Sequence, residues 1–277
     1  MNDQSSFISE AIQKQIESLN EIEEKEKLPF SPLKLFFNFE YPINEYLTIH
    51  QPTIQDFIDI GDEKIYRAIT PFIVTPTSYR VQLWDMGIDW NKITNLELFA
   101  YFIINQSEDE ASKLLFGDFK FSEYKLYIKE NSDGTTEQVL RNGINDFEIN
   151  ESVYHTICLY IRYMFKSFPP EDEFASNKVL KQDLINDDRQ KQLARLKNND
   201  NSSDFTSMIS FCLNHPGFKY KKEELREVGI VEFMDAVQRL QIYESTKALM
   251  SGMYSGMCDV SKINKNEFNF MRDISCT

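Results

Sequence analysis

Glycine and proline are scarce, nine of each in 277 residues. Low-complexity and disordered chains lean on such residues, so that class is disfavoured. Cysteine is scarcer still. Cys158, Cys212, Cys258 and Cys276 are widely spaced and form no Cys-x-x-Cys pair. A zinc site needs grouped ligands, so the four are expected to be reduced thiols, with Cys158 and Cys212 in the core. The three histidines, His50, His155 and His215, never lie one helical turn apart, which excludes a two-histidine metalloprotease helix. His155 falls on an apolar helix and reads as a core or boundary residue; His50 and His215 read as structural.

Other chemistry is missing too. No apolar run reaches the roughly 18 residues that span a bilayer, and the first residues lack the basic-then-apolar layout of a secretory signal. The protein is therefore expected to stay in the cytoplasm where it is made. Ser251-Gly252 and Ser255-Gly256 lie in a helical pattern without the nucleophile-elbow spacing. Glycines do not cluster ahead of a helix to cradle phosphate. Neighbouring acids such as Asp187-Asp188 and Glu171-Asp172-Glu173 point different ways on a helix. The faint calcium-loop echo at Asp259, Ser261 and Ile263 lacks the glycine its sixth position needs. No catalytic, cofactor-binding or metal-ligating residue is assigned, and the chain is not expected to be an enzyme.

What the sequence holds in quantity is apolar bulk and negative charge. Twenty-two phenylalanines and thirteen tyrosines suffice for a substantial core. A formal net charge of −14 argues against binding nucleic acid or an anionic membrane. The small basic spot at Lys219, Lys221 and Lys222 around Tyr220 does not reverse that.

Taken in order, residues 1–28 read as an acidic amphipathic arm with Phe7, Ile8, Ala11, Ile12, Ile16 and Leu19 at helical spacing. Residues 29–149 read as an α+β domain. In it LTIH is a short strand and Thr53 with Asp56 starts a helix that Gly61 bends or splits. Residues 78–103 hold both tryptophans and a capping box at Thr94 and Glu97, and are expected to form the nucleus on which other elements pack. A short helix from Ser107 runs to Gly117, and residues 118–149 alternate as a hairpin turning at Asp133-Gly134, with NDFEIN as a third strand. Residues 150–277 read as helical: a deeply apolar helix after Asn150, a polar helix in the charged segment 171–204, a short helix over 205–214, a small one from Lys221, and a long amphipathic helix beyond Gly229. The fold class is thus α+β, mostly α-helical, with a helical C-terminal bundle and a small antiparallel hairpin or sheet in the N-terminal half.

On the long helix, Met250, Met253 and Met257 accompany Gly252 and Gly256; small residues a turn apart admit another backbone, and methionine adapts to varied surfaces. Phe268, Phe270 and Met271 in the tail are available to dock. These six are the candidate partner-binding residues, against the plainer reading of core packing.

Residues 47–73 (LTIHQPTIQDFIDIGDEKIYRAITPFI), 78–99 (SYRVQLWDMGIDWNKITNLELF) and 240–274 (LQIYESTKALMSGMYSGMCDVSKINKNEFNFMRDI) together resemble tail assembly chaperones and tail-module proteins of tailed bacteriophages. The resemblance implies a non-catalytic role in the host cytoplasm: binding the tape-measure protein, or the tail-tube protein, during tail morphogenesis. Adaptable apolar grooves on a strongly charged exterior suit such holding. A structural adaptor or connector of the tail is the alternative, and an acidic inhibitor of a host defence protein a further one.

Overall fold

The computed structural model describes residues 28–104, 109–131, 134–197, 204–256 and 263–272. The acidic arm, apart from Leu28, lies outside them, as do Ser107, Met257, Cys258 and Cys276. Eleven α-helices and two short antiparallel hairpins are described, so the protein is α+β and mostly α-helical.

The first hairpin pairs β1 (Tyr41–Pro42) with β2 (Thr48–Ile49), after helix α1 (Pro32–Phe36). Thr53 and Asp56 close a full capping box on α2 (Ile54–Ile60). Gly61, at φ +94, ends that helix and begins α3 (Asp62–Ile73), so the sequence resolves here into two helices. α4 (Arg80–Asp85) follows, then α5 (Asn95–Ile104), whose box is made by Thr94 N–H to Glu97 Oε2 (2.8 Å) and Glu97 N–H to Thr94 Oγ1 (3.1 Å). α6 (Glu110–Phe116) takes its cap from Asp109. β3 (Lys125–Glu130) and β4 (Thr136–Arg141) form the second hairpin in the register Lys125↔Arg141 to Glu130↔Thr136. The expected third strand reduces to a single bridge, Leu140↔Ile149. Asn150 caps α7 (Glu151–Phe165); α8 (Lys178–Lys197), α9 (Asp204–Asn214), α10 (Lys222–Leu225) and α11 (Ile230–Tyr254) complete the helices, and Lys265–Phe268 is a 3-10 turn.

The main apolar cluster draws on both halves of the chain. Phe72, Phe99, Phe116 and Phe121 meet at centroid distances of 5.0–5.7 Å, and Tyr154 joins Phe99 at 4.9 Å. Phe205 stacks on Phe57 at 4.3 Å and meets Phe233, tying α9 and α11 to α2. Each such ring removes on the order of 150–250 Å² from water. Cys158 and Cys212 are buried in this cluster. A backbone seam closes it: Ile54 N–H donates to Val228 O (3.0 Å), Gln55 N–H to Arg226 O (2.9 Å) and Ile230 N–H to Pro52 O (2.9 Å). Buried Gln51 completes the seam, donating to Leu35 O and accepting from Val231 N–H. Gly229 is needed there, because a Cβ would collide with the Gln51 amide.

The tryptophans do not sit in that cluster. Trp84 and Trp90 pack edge-to-face at 6.2 Å in a second, smaller cluster with Val81, Leu83, Leu98, Ala175 and Ile185. Helix α5 serves both, with Leu96, Phe99 and Ile103 on the main side and Leu98 on the other. The expected nucleus is therefore a satellite: Gly87 turns the chain back so that the indoles face α8.

Candidate functional site

The long helix α11 provides the floor of a surface groove. Residues three and four apart share a helix face, which aligns Glu232, Asp235, Ala236, Arg239, Leu240, Tyr243, Glu244 and Lys247 along it. The loop His215–Lys219 forms one wall, with Phe36 from α1 and Phe270 from the tail at the rim; the groove holds about 660 Å³.

Each wall has a physical cause. His215 shapes the loop, since its Nδ1 accepts the Gly217 N–H at 3.0 Å. That leaves Nε2 to carry the proton toward Glu244, 3.3 Å away on α11. Lys219 reaches Glu232 at 3.0 Å, and the Tyr220 hydroxyl donates to the same carboxylate. Burial pushes the Glu232 carboxyl up, but the bonds from Tyr220 and Lys219 outweigh it and hold it below the usual carboxylate range. The tail wall is pinned by Arg272: Nη1 donates to the buried Thr246 Oγ1 and to Glu267 O at 2.6 Å each, and Nη2 to Ser245 Oγ at 3.0 Å. Arg239 Nη1 donates in turn to Arg272 O at 2.9 Å. So pinned, Phe270 lies against Tyr243 at 5.8 Å. Lys247, over the Tyr243 ring at 5.6 Å, adds a cation to the rim.

The surface is a mixed one: Phe36, Phe218, Leu240, Tyr243 and Phe270 offer apolar area, bordered by three cations and three carboxylates. Such a surface can hold an amphipathic peptide.

Of the six candidate partner-binding residues, the structure brings Phe270 to the groove, 41% exposed. Met250 and Met253 are half-buried farther along α11, and Phe268 is half-buried in the 3-10 turn. Met271 is 83% exposed and does not line the groove. Met257 lies outside the described residues. Sequence reasoning missed Phe36, Phe218, Arg239, Tyr243 and Lys247. The charged stripe on α11 was the available signal, but only its apolar stripe was read. The expectation for His155 also needs correction: it is exposed, because it falls on the side of α7 opposite the buried Ile157 and Met164.

Chemistry elsewhere is muted. Burial pushes the Cys158 thiol up to about 12 and the Cys212 thiol up to about 11. Both stay protonated at neutral pH and are poor nucleophiles. Among the described residues, no group of three or more His, Cys, Asp or Glu side chains could hold a metal ion, and no helix is long and apolar enough to cross a membrane. Comparison with known proteins returns no match: no family model, no curated protein and no solved structure matches this chain.

Proposed function

We propose that the groove on α11 holds an apolar helical segment of a client protein, and that the chain works without catalysis as a tail assembly chaperone of a tailed bacteriophage. Its client is the tape-measure protein, held in the host cytoplasm until tail-tube subunits assemble around it. The observation that supports this reading is the groove itself, an aromatic-lined channel of about 660 Å³ open at the surface of a protein with net charge −14. Exposed aromatic patches rimmed by charge mark protein-binding sites, and a strong net charge keeps a loaded complex soluble.

The test is co-expression with the tape-measure protein of the same phage. Wild type is expected to keep the client soluble and to co-purify with it. The pair Tyr243→Ala and Phe270→Ala is expected to weaken that complex by about ten-fold or more, since aromatic anchors dominate such contacts. Absence of any complex would sink the proposal. Recovery of the chain as a stoichiometric part of finished particles would replace it with the structural adaptor reading.

A further inference from the structure

The charged segment that ends in α8 is held in an unusual way. It brings few apolar groups to its contact, chiefly Ala175, Ile185 and part of Leu184. Hydrogen bonds tie the lead-in, with Asn91 Nδ2 donating to Ala175 O (2.8 Å), Trp90 Nε1 to Glu173 O (3.4 Å) and Thr77 Oγ1 to Asp172 Oδ1 (3.1 Å), and charges do the rest. The Arg80 side chain, 7% exposed, donates Nη1 to Glu173 Oε2 and Nε to Asp188 Oδ2, both at 2.7 Å. Lys181 Nζ reaches Asp89 at 2.6 Å and lies over the Trp90 ring at 5.4 Å. Arg189 pairs with Asp85. Sign alternates across the contact: α4 and its turn offer Arg80, Asp85 and Asp89, and the segment answers with Glu173, Asp188, Arg189 and Lys181.

The same seam is open to solvent at one edge. A surface pocket of about 520 Å³, open to solvent, lies between Trp84 and Ile88 on one side and Ser176 to Lys178 on the other. Gln82 Oε1, Asn91 Oδ1 and Asn95 Oδ1, on α4, its turn and the start of α5, are buried without a hydrogen-bond partner. Unpaired polar atoms gain water when a contact opens, which lowers the cost of opening it. Among the described residues, the ion pairs that α8 makes with other elements go to α4 and its turn, so opening need not disturb the main cluster.

We propose that residues 171–197 are a charge-latched cover, which swings away as a unit and uncovers the apolar face carrying Trp84 and Trp90 while the main cluster stays folded. Arg80 is the latch. Its planar fork satisfies two carboxylates at once, from positions 173 and 188, and so joins the extended lead-in and the helix into one moving piece. The inference is independent of the groove on α11.

Native-state hydrogen exchange on the intact chain tests it, together with acrylamide quenching of the two tryptophans. In wild type, amides of Lys178–Lys197 are expected to exchange through an opening at least ~10-fold more frequent than that of Glu151–Phe165. In the double variant Glu173→Gln, Asp188→Asn the α8 amides are expected to exchange at least ~10-fold faster again, with tryptophan quenching rising in step and α7 unchanged. Exchange of α8 together with α7 in the wild type would overturn the proposal. So would a folded double variant whose α8 exchange or tryptophan quenching matches wild type. Should the double variant fail to fold, the wild-type comparison with added urea decides: a red shift in tryptophan emission ahead of α7 exposure upholds the cover, and simultaneous loss refutes it.

Discussion

The two apolar clusters are built on opposite terms. Around Phe72 and Phe99 the rings pack on all sides, and the backbone seam between residues 52–55 and 226–231 fixes how the halves meet. Around Trp84 and Trp90 one side of the contact is a polar helix, and its register is set by Arg80, Lys181 and Arg189 finding their carboxylates. Apolar burial is strong but non-directional; partly exposed ion pairs are weaker but specify position. The first region gains stability from area, the second gains alignment from charge.

That contrast can be broken from either side. The largest effect is expected for Phe72→Ala, which removes a fully buried ring with three aromatic neighbours: about 3–5 kcal/mol of global stability, read as a shift in the urea midpoint. Arg80→Ala should cost less, about 1–3 kcal/mol, because Glu173 is 53% exposed and is rehydrated readily. Its loss should also be local, visible in α8 exchange before any change in α7. Thr53→Ala deletes a capping box beside the seam and should cost about 1 kcal/mol in the same urea measurement.

Proton concentration separates the regions as well. A hydrogen bond from Lys181 holds the Asp89 carboxyl below the ordinary 3.8, and one from Arg80 does the same for Asp188. Folded values lower than unfolded ones mean the contribution is complete above 3.8 and is lost as pH falls through the folded values. The cover contact should therefore weaken first in acid, below about pH 4. In the main cluster burial pushes Cys158 from 9.0 up to about 12 and Tyr160 from 10.0 up to about 12. Raised values on groups that are neutral when protonated mean stability is full below 9.0 and falls as pH climbs past it. Following α8 and α7 separately by exchange across acid and alkali should show the two regions failing at opposite ends.

Much of the local structure was legible. Thr53 with Asp56 and Thr94 with Glu97 each begin a helix by the side-chain bonds their spacing predicts, a helix follows Asn150 as expected, and residues 125–141 form the expected hairpin. These are contacts within a few residues, where chemistry and sequence order coincide. The groove was illegible because its walls come from Phe36, the loop at His215 and Phe270, and only the folded chain brings them together. The pairs of Arg80 with Glu173 and Asp188 span 93 and 108 positions. In sequence, those acids are indistinguishable from a solvated surface. Both tryptophans were overvalued for the same reason: size says that a residue will be buried, not in which cluster.

The bridge between Thr53 and Gly229 sets an order of events during synthesis. A ribosome must deliver the chain well past residue 229 before that bridge can form, so until then Ile54 lacks its backbone bond to Val228 and the α2 face lacks the cover of α11. Loop closure over such a span is slow, and unfinished chains with bare apolar faces aggregate. The nascent polypeptide should thus depend on cellular folding helpers for most of its emergence, and truncations ending before α11 should accumulate as insoluble material.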